Sequence, residues 1–119
     1  RFDGTTAEWR SVADELATGA YGGRVAVIGC GWEGRRASED ESAAGAILCR
    51  LREWGVGLDE RARRVVDLYF ARSKESLRRN STARRLARLG YERDLDFCLA
   101  ENAVPVIPRF EGDAFVSRR

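Results

Sequence analysis

Four carboxylates, Glu33, Glu39, Asp40 and Glu41, lie close together just after the apolar run in RVAVIGCGWEG, residues 24–34. Oxygen donors of this kind suit Mg²⁺, which ordinarily takes one or two carboxylates, keeps several waters and completes its shell with substrate phosphate. Their position at the C-terminal end of a buried strand is where open α/β sheets place ligands. The plainer use is complementing a helix dipole: Glu39 to Glu41 in a first turn would contribute about 0.3–1 kcal/mol each. A second group is basic. In LRRNSTARRLARLG, Arg78, Arg79, Arg84, Arg85 and Arg88 surround a helix start whose expected cap is Ser81. Free N–H groups at such a start, with guanidinium groups beside them, make an oxyanion site. Ser81 and Arg84 sit closest to that end. A solvated helix face is the alternative use of the same arginines.

Gly29, Gly31 and Gly34 have the spacing of a dinucleotide fingerprint, G-x-G-x-x-G. That motif requires a helix N-terminus directly behind its last glycine. Here Arg35, Arg36 and Ala37 intervene, and the first start signal is Ser38 with Glu41 at capping-box spacing. The glycines are therefore expected to shape a bend into an acidic loop, where side chains rather than backbone N–H groups meet the ligand.

Composition narrows the function classes. The chain has 119 residues, is 44% apolar and carries a net charge of +2, which bounds it to one domain with a modest core. A charge this small, with acids interleaved on the other helices, argues against a nucleic-acid surface. The sequence contains no long apolar run, so neither a transmembrane helix nor a signal peptide is expected, and the cytoplasm is the default location. With no histidine, an imidazole base, a Ser-His-Asp triad and a histidine metal ligand are all excluded. Cys30, Cys49 and Cys98 lack C-x-x-C spacing and are expected to be buried free thiols. The absence of methionine leads to the expectation that the chain begins inside a longer polypeptide.

Helices and strands must position these groups. Thr5 and Glu8 form a capping-box pair ahead of a helix running to about Thr18, with Trp9, Val12, Ala13 and Leu16 on one face. Residues 24–29 are continuously apolar, the pattern of a central parallel strand covered on both faces. A helix over Glu39–Trp54 carries Ala44, Ile47, Leu48, Leu51 and Trp54, with Gly55 as its stop. Asp59 starts the next, with Ala62, Val65, Val66 and Tyr69 inward; Ser73–Arg79, Ser81–Leu89 and Glu92–Leu99 follow as shorter helices. VPVI, residues 104–107, reads as a strand near a sheet edge because of Pro105 and Pro108. Residues 113–117 read as one more short strand. The expected fold class is α/β, with three layers and a largely parallel or mixed sheet flanked by helices.

The order of VAVIGCGWEG, SEDESAAGAI, NSTARRLARLGYERDLDFC and VPVI resembles the C-terminal half of the 2-phosphosulfolactate phosphatase family, across about residues 24–107. Gly31 to Gly34, the Glu39-Asp40 pair before Ala44-Gly45-Ala46, the Ser81-x-x-Arg84 step and the run from Asp94 to Cys98 carry the resemblance. It implies a Mg²⁺-dependent acid phosphatase acting on the phosphate monoester of a sulfonated hydroxy acid, 2-phosphosulfolactate, in coenzyme M biosynthesis. Glu33, Glu39 and Asp40 become metal candidates, Glu33 and Asp40 catalytic candidates, and Ser81, Arg84 and Arg85 substrate-binding candidates. Two departures bear on substrate choice: Ala83 stands where the family commonly has Gly, and Trp32 where a smaller residue is common. The implied partner is a small phosphate ester, with neither nucleic acid nor membrane and with self-association open. The whole chain is then one α/β domain, the C-terminal half of a longer phosphatase, and it could be inactive alone. The rival reading is a noncatalytic α/β module that binds an anionic partner through its arginine-rich helix.

Overall fold

A computed structural model describes residues 9–118. The expected Thr5–Glu8 capping box lies outside them. Helices α1 (Trp9–Ala17), α2 (Ser38–Glu53), α3 (Glu60–Ala71), α4 (Lys74–Arg78), α5 (Ser81–Arg88) and α6 (Glu92–Cys98) precede strands β1 (Ile107–Glu111) and β2 (Ala114–Arg118). None of these helices is long and apolar enough to cross a membrane.

Local chemistry explains most boundaries. Asp59 caps α3 by accepting the Ala62 N–H at 2.7 Å, and Ser73 caps α4 by accepting the Ser76 N–H at 3.1 Å. Gly55 and Gly90, at φ 84° and 82°, take the left-handed conformation that follows α2 and α5. Two starts differ from expectation. The cap of α5 is Asn80, whose Oδ1 accepts the Ala83 N–H at 2.8 Å; Ser81 is the first helical residue. Asn and Ser cap equally well, so their adjacency leaves the choice to contacts further away. At α2 the N-cap is Ala37, without a side-chain hydrogen bond, because Glu41 turns to arginines instead of closing a capping box.

The core is built around α2. Trp9 and Ala13 of α1 meet Ala46, Ile47 and Leu51, while Leu48 and Cys49 on another side of α2 meet Val66 of α3. Gly45 sets the second contact: a Cβ there would stand 2.5 Å from Tyr69 Cβ and 2.8 Å from the Val65 carbonyl oxygen. A polar clamp reinforces the first. Arg50 Nε and the Trp54 indole N–H donate to Asp14 Oδ1 at 2.7 and 2.8 Å. Trp54, expected on the apolar stripe, is thus mostly exposed and lies against Arg50.

The sheet is smaller than expected. Among the described residues it consists of β1 and β2, antiparallel, with Ile107 opposite Arg118 and Glu111 opposite Ala114. Gly112, at φ 66°, makes the two-residue turn, and Phe110 stacks edge-on against Phe115 across the strands. Residues 24–29 are not a ladder strand, and residues 104–106 precede β1 instead of opening it. A strand that is apolar at both parities needs neighbours on both sides, and the described residues supply none. The architecture is mixed helix with a small sheet. None of the three thiols is in a disulfide; Cys49 is buried, but Cys30 and Cys98, expected to be buried, are exposed.

Gly45→Ala is expected to destabilise the chain by about 1–3 kcal/mol through overpacking. Gly57→Ala, where an added Cβ meets nothing within 4 Å, should change stability by no more than about 1 kcal/mol. Urea denaturation of the two variants checks the contrast.

Candidate functional site at the α2 and α5 N-termini

The acidic loop is a tight two-residue turn. Trp32 and Arg35 exchange both backbone hydrogen bonds at 2.9 Å, and the residues between them, Glu33 and Gly34, have φ 48° and 73°. Positive φ at both central positions is the type I′ pattern, which favours Asn-Gly or Asp-Gly. A glutamate in this region bears a steric cost of roughly 1–2 kcal/mol. Gly31, at φ 67°, is required by space as well, because a Cβ would meet the Arg35 carbonyl oxygen at 2.2 Å.

This turn is fastened to the first turn of α2. The Gly31 N–H donates to Asp40 Oδ2 at 2.6 Å, and a Cβ at residue 29 would touch Asp40 Cβ at 3.4 Å. The fingerprint glycine therefore directs its N–H to a protein carboxylate. The helix begins only at Ser38, behind Arg35, Arg36 and Ala37, so that no helix start directly follows Gly34.

The same first turn holds α5. Glu39 Oε1 accepts the Thr82 hydroxyl at 2.6 Å and Oε2 accepts Asn80 Nδ2 at 3.0 Å. Asn80 Nδ2 also donates to Ser38 Oγ at 2.9 Å. Across the gap, the Arg85 guanidinium lies 4.6 Å from the centre of the Trp32 ring, a cation–π distance. The acidic turn and the basic helix start, far apart in sequence, thus form one surface.

Glu41 completes the framework. It pairs with Arg36 and Arg72 at 2.5 Å each, and Arg72 Nη1 donates to the Ser38 carbonyl at 3.1 Å. Burial opposes ionisation of Glu41, but the Arg72 hydrogen bond and the charges of Arg72 and Arg36 outweigh it and hold the carboxyl below its ordinary value. Asp14, at the α1–α2 clamp, is lowered as well, chiefly by its hydrogen bond from Arg50.

Beside the turn, a cleft of about 890 Å³ runs between residues 23–37 and the α2–α3 pair. Gly29, Gly31, Arg35, Arg36 and Asp40 line it, as do Leu48, Leu58 and Val65 together with Asp59 and Arg61. The three metal candidates are not gathered here. Asp40 lines the cleft, Glu33 is exposed at the tip of the turn, and both oxygens of Glu39 are engaged by α5. Among the described residues, no three Asp, Glu, Cys or His side chains converge on one point. Mg²⁺ ordinarily takes one or two carboxylates with waters, and of the three candidates Asp40 is the one that lines the cleft. Of the oxyanion candidates, Ser81 is exposed, Arg84 Nη1 donates to the Arg79 carbonyl at 3.0 Å, and Arg85 covers Trp32. Sequence reasoning missed Asn80, Thr82 and Trp32. The first had a signal, a capping residue three positions before Ala83; the contacts of the other two are long-range and leave no local trace.

The 2-phosphosulpholactate phosphatase family matches residues 4–113. The chain belongs to this family. It is similar to a probable 2-phosphosulfolactate phosphatase of Thermotoga petrophila, 30% identical over 77% of this chain and 41% of the relative. A probable 2-phosphosulfolactate phosphatase of Synechococcus sp. strain JA-2-3B'a(2-13) is 34% identical over 83% of this chain and 43% of the relative. One of Gloeobacter violaceus is 36% identical over 71% and 36%, respectively. The chain thus spans less than half the length of these family relatives.

The lowered carboxyls fix a pH dependence. A group whose folded pKa lies below its unfolded value contributes stability above the unfolded value and loses it as pH falls through the folded one. Stability is expected to decline as the solution is acidified below the ordinary values of 4.5 for Glu41 and 3.8 for Asp14. Glu41→Gln should lower stability near neutrality and flatten that decline, as read by urea denaturation across the acid range. An unchanged acid slope would show that the Glu41 pairs do not form in solution.

Proposed function

We propose that the chain forms the anion-binding and metal-binding half of a 2-phosphosulfolactate phosphatase. The reaction is hydrolysis of a phosphate monoester: a water oxygen bonds to phosphorus, the ester P–O bond breaks, and the sulfonated hydroxy acid leaves with its oxygen protonated. The observation that carries this reading is the meeting of the first turn of α2, to which the acidic turn is fastened, with the α5 start through Glu39, Asn80 and Thr82. Membership of the phosphatase family supports the reaction class.

Each residue then has a physical task. Asp40 lines the cleft and is fixed through Oδ2 by the Gly31 N–H, and its carboxylate would hold Mg²⁺ or a metal-bound water. When bound, Mg²⁺ supplies charge neutralisation on the phosphoryl oxygens. Arg84, the Ser81 hydroxyl and the first N–H groups of α5 bind the phosphate or sulfonate oxyanion. Glu39 acts as a positioning residue, because its two hydrogen bonds hold α5 against α2. Glu33 occupies a conformation that a glutamate adopts at a cost, and such strain is retained where a side chain has a task at that point. The three-layer sheet and the remaining catalytic groups belong to the family-length polypeptide, with this chain as its C-terminal half.

A phosphatase assay on the family-length polypeptide tests the reading, with 2-phosphosulfolactate as substrate and turnover abolished by EDTA and restored by Mg²⁺. Asp40→Asn should remove most activity while circular dichroism is unchanged. Arg84→Ala should weaken substrate binding by about 1.5–3 kcal/mol, the range for a hydrogen bond to a charged group, whereas Arg88→Ala should change it little. Equal effects at both arginines would refer them to a solvated face and overturn the site.

Glu33→Asn gives an independent check. Asn suits the first central position of a type I′ turn, so the variant should be more stable by about 1 kcal/mol and yet slower in turnover. A variant that is more stable and fully active would remove Glu33 from the site.

A further inference from the structure

Trp32 takes no part in the binding scheme of Asp40, Arg84 and Ser81, yet it meets α5 directly. Its backbone exchanges two hydrogen bonds with Arg35 at 2.9 Å, and the turn is tied to Asp40 through the Gly31 N–H, so the indole is mounted on a fixed base. Helix α5, which carries Arg85, is tied to the neighbouring Glu39 through Asn80 and Thr82. The 4.6 Å approach of the Arg85 guanidinium to the Trp32 ring centre therefore closes a cycle of contacts that begins and ends at consecutive residues of α2. An indole left 57% exposed buries little of its surface, so core packing does not account for it.

The manner in which Arg85 is held differs from that of the arginines fixed by acids. Arg36 and Arg72 share Glu41, Arg50 has Asp14 and Arg78 has Asp96; in each case the carboxylate that orients the cation also neutralises it and occupies its N–H groups. Arg85 is exposed, and among the described residues its contact is with a neutral ring. A ring attracts the cation through its quadrupole and uses none of the N–H donors, of which a guanidinium has five. Arg85 is thus restrained while its charge and its donors stay available, the condition in which an oxyanion is bound with the least ordering cost. Its neighbour Arg84 is held by the Arg79 carbonyl, and successive helix residues point about 100° apart, so the two arginines address different groups.

We propose that Trp32 is a positioning residue that holds Arg85 as the ligand of a second anionic group of the substrate, so that the site selects phosphate monoesters carrying a further charge such as a sulfonate. One oxyanion lies at Arg84 and Ser81, the other at Arg85. This rests on the phosphatase reading for the ester, whereas the anion ligand itself is measurable without turnover. An ester that lacks the second anion leaves Arg85 to water and forgoes one charge-assisted contact, which is worth about tenfold or more in binding. Without the indole, Arg85 regains its side-chain freedom and must lose it again each time the anion binds.

Steady-state kinetics on the family-length polypeptide test it with two esters, 2-phosphosulfolactate and 2-phospholactate, which lacks the sulfonate. Trp32→Ala should raise KM about tenfold for the first and much less for the second, with the larger effect in KM than in kcat. Trp32→Phe, which keeps an aromatic face, should restore most of the loss. The double variant of Trp32→Ala with Arg85→Ala should be no worse than Arg85→Ala alone, because Trp32 acts only through Arg85. Equal rises in KM for both esters, or additive effects of the two substitutions, would overturn the proposal. A second measurement needs no turnover: methanesulfonate, exchanged for chloride at constant ionic strength, should shift the Trp32 indole N–H resonance saturably, and Arg85→Gln should abolish the shift. That result without turnover of either ester would uphold the anion ligand and refute the phosphatase reading separately. No shift, or the same shift in Arg85→Gln, would overturn the proposal and leave the phosphatase reading standing.

Discussion

The absence of a side chain at Gly45 lets α2 and α3 approach until backbone and Cβ atoms are in contact. With α3 drawn in on one side and α1 on another, α2 becomes the axis of the described core. Its other features depend on that placement. The first turn of α2 is held at a fixed distance from the end of α3, so Arg72 can reach both Glu41 and the Ser38 carbonyl. A longer helix–helix separation would leave Glu41, a largely buried carboxylate, without its strongest partner.

From that fixed first turn, three consecutive acids serve three different neighbours. Glu39 holds α5, Asp40 holds the glycine turn and Glu41 holds the end of α3. Successive residues on a helix point about 100° apart, so adjacent carboxylates fan outward instead of converging. This is why a run of acids on a helix makes a poor metal cage and a good junction. What the junction brings near one another is Asp40, on the wall of the cleft, and the start of α5.

Much of the local structure was legible in the sequence. Asp59 and Ser73 as caps, Gly55 and Gly90 as stops, and the helix bounds over 38–98 follow from hydrogen-bonding and backbone rules that operate within four residues. The late helix after Gly34 was legible for the same reason, since Arg35 must return to pair with Trp32 before α2 can begin. The cap of α5 was mistaken by one residue because Asn80 and Ser81 are equivalent caps locally; Asn80 is selected by Ser38 and Glu39, more than forty positions away.

By itself the sequence determined which segments are helical, where they start and stop, and which charged groups exist to be arranged, because each depends on near neighbours and on residue type. It could not determine that Glu39 meets Thr82, that Trp32 meets Arg85, or that Trp54 turns outward to Asp14. Nor could it determine the partners of residues 24–29, whose apolar character demands neighbours without naming them. Those outcomes were decided by tertiary structure, since the closeness of two residues remote in sequence depends on how the helices pack, and here on the space left beside Gly45.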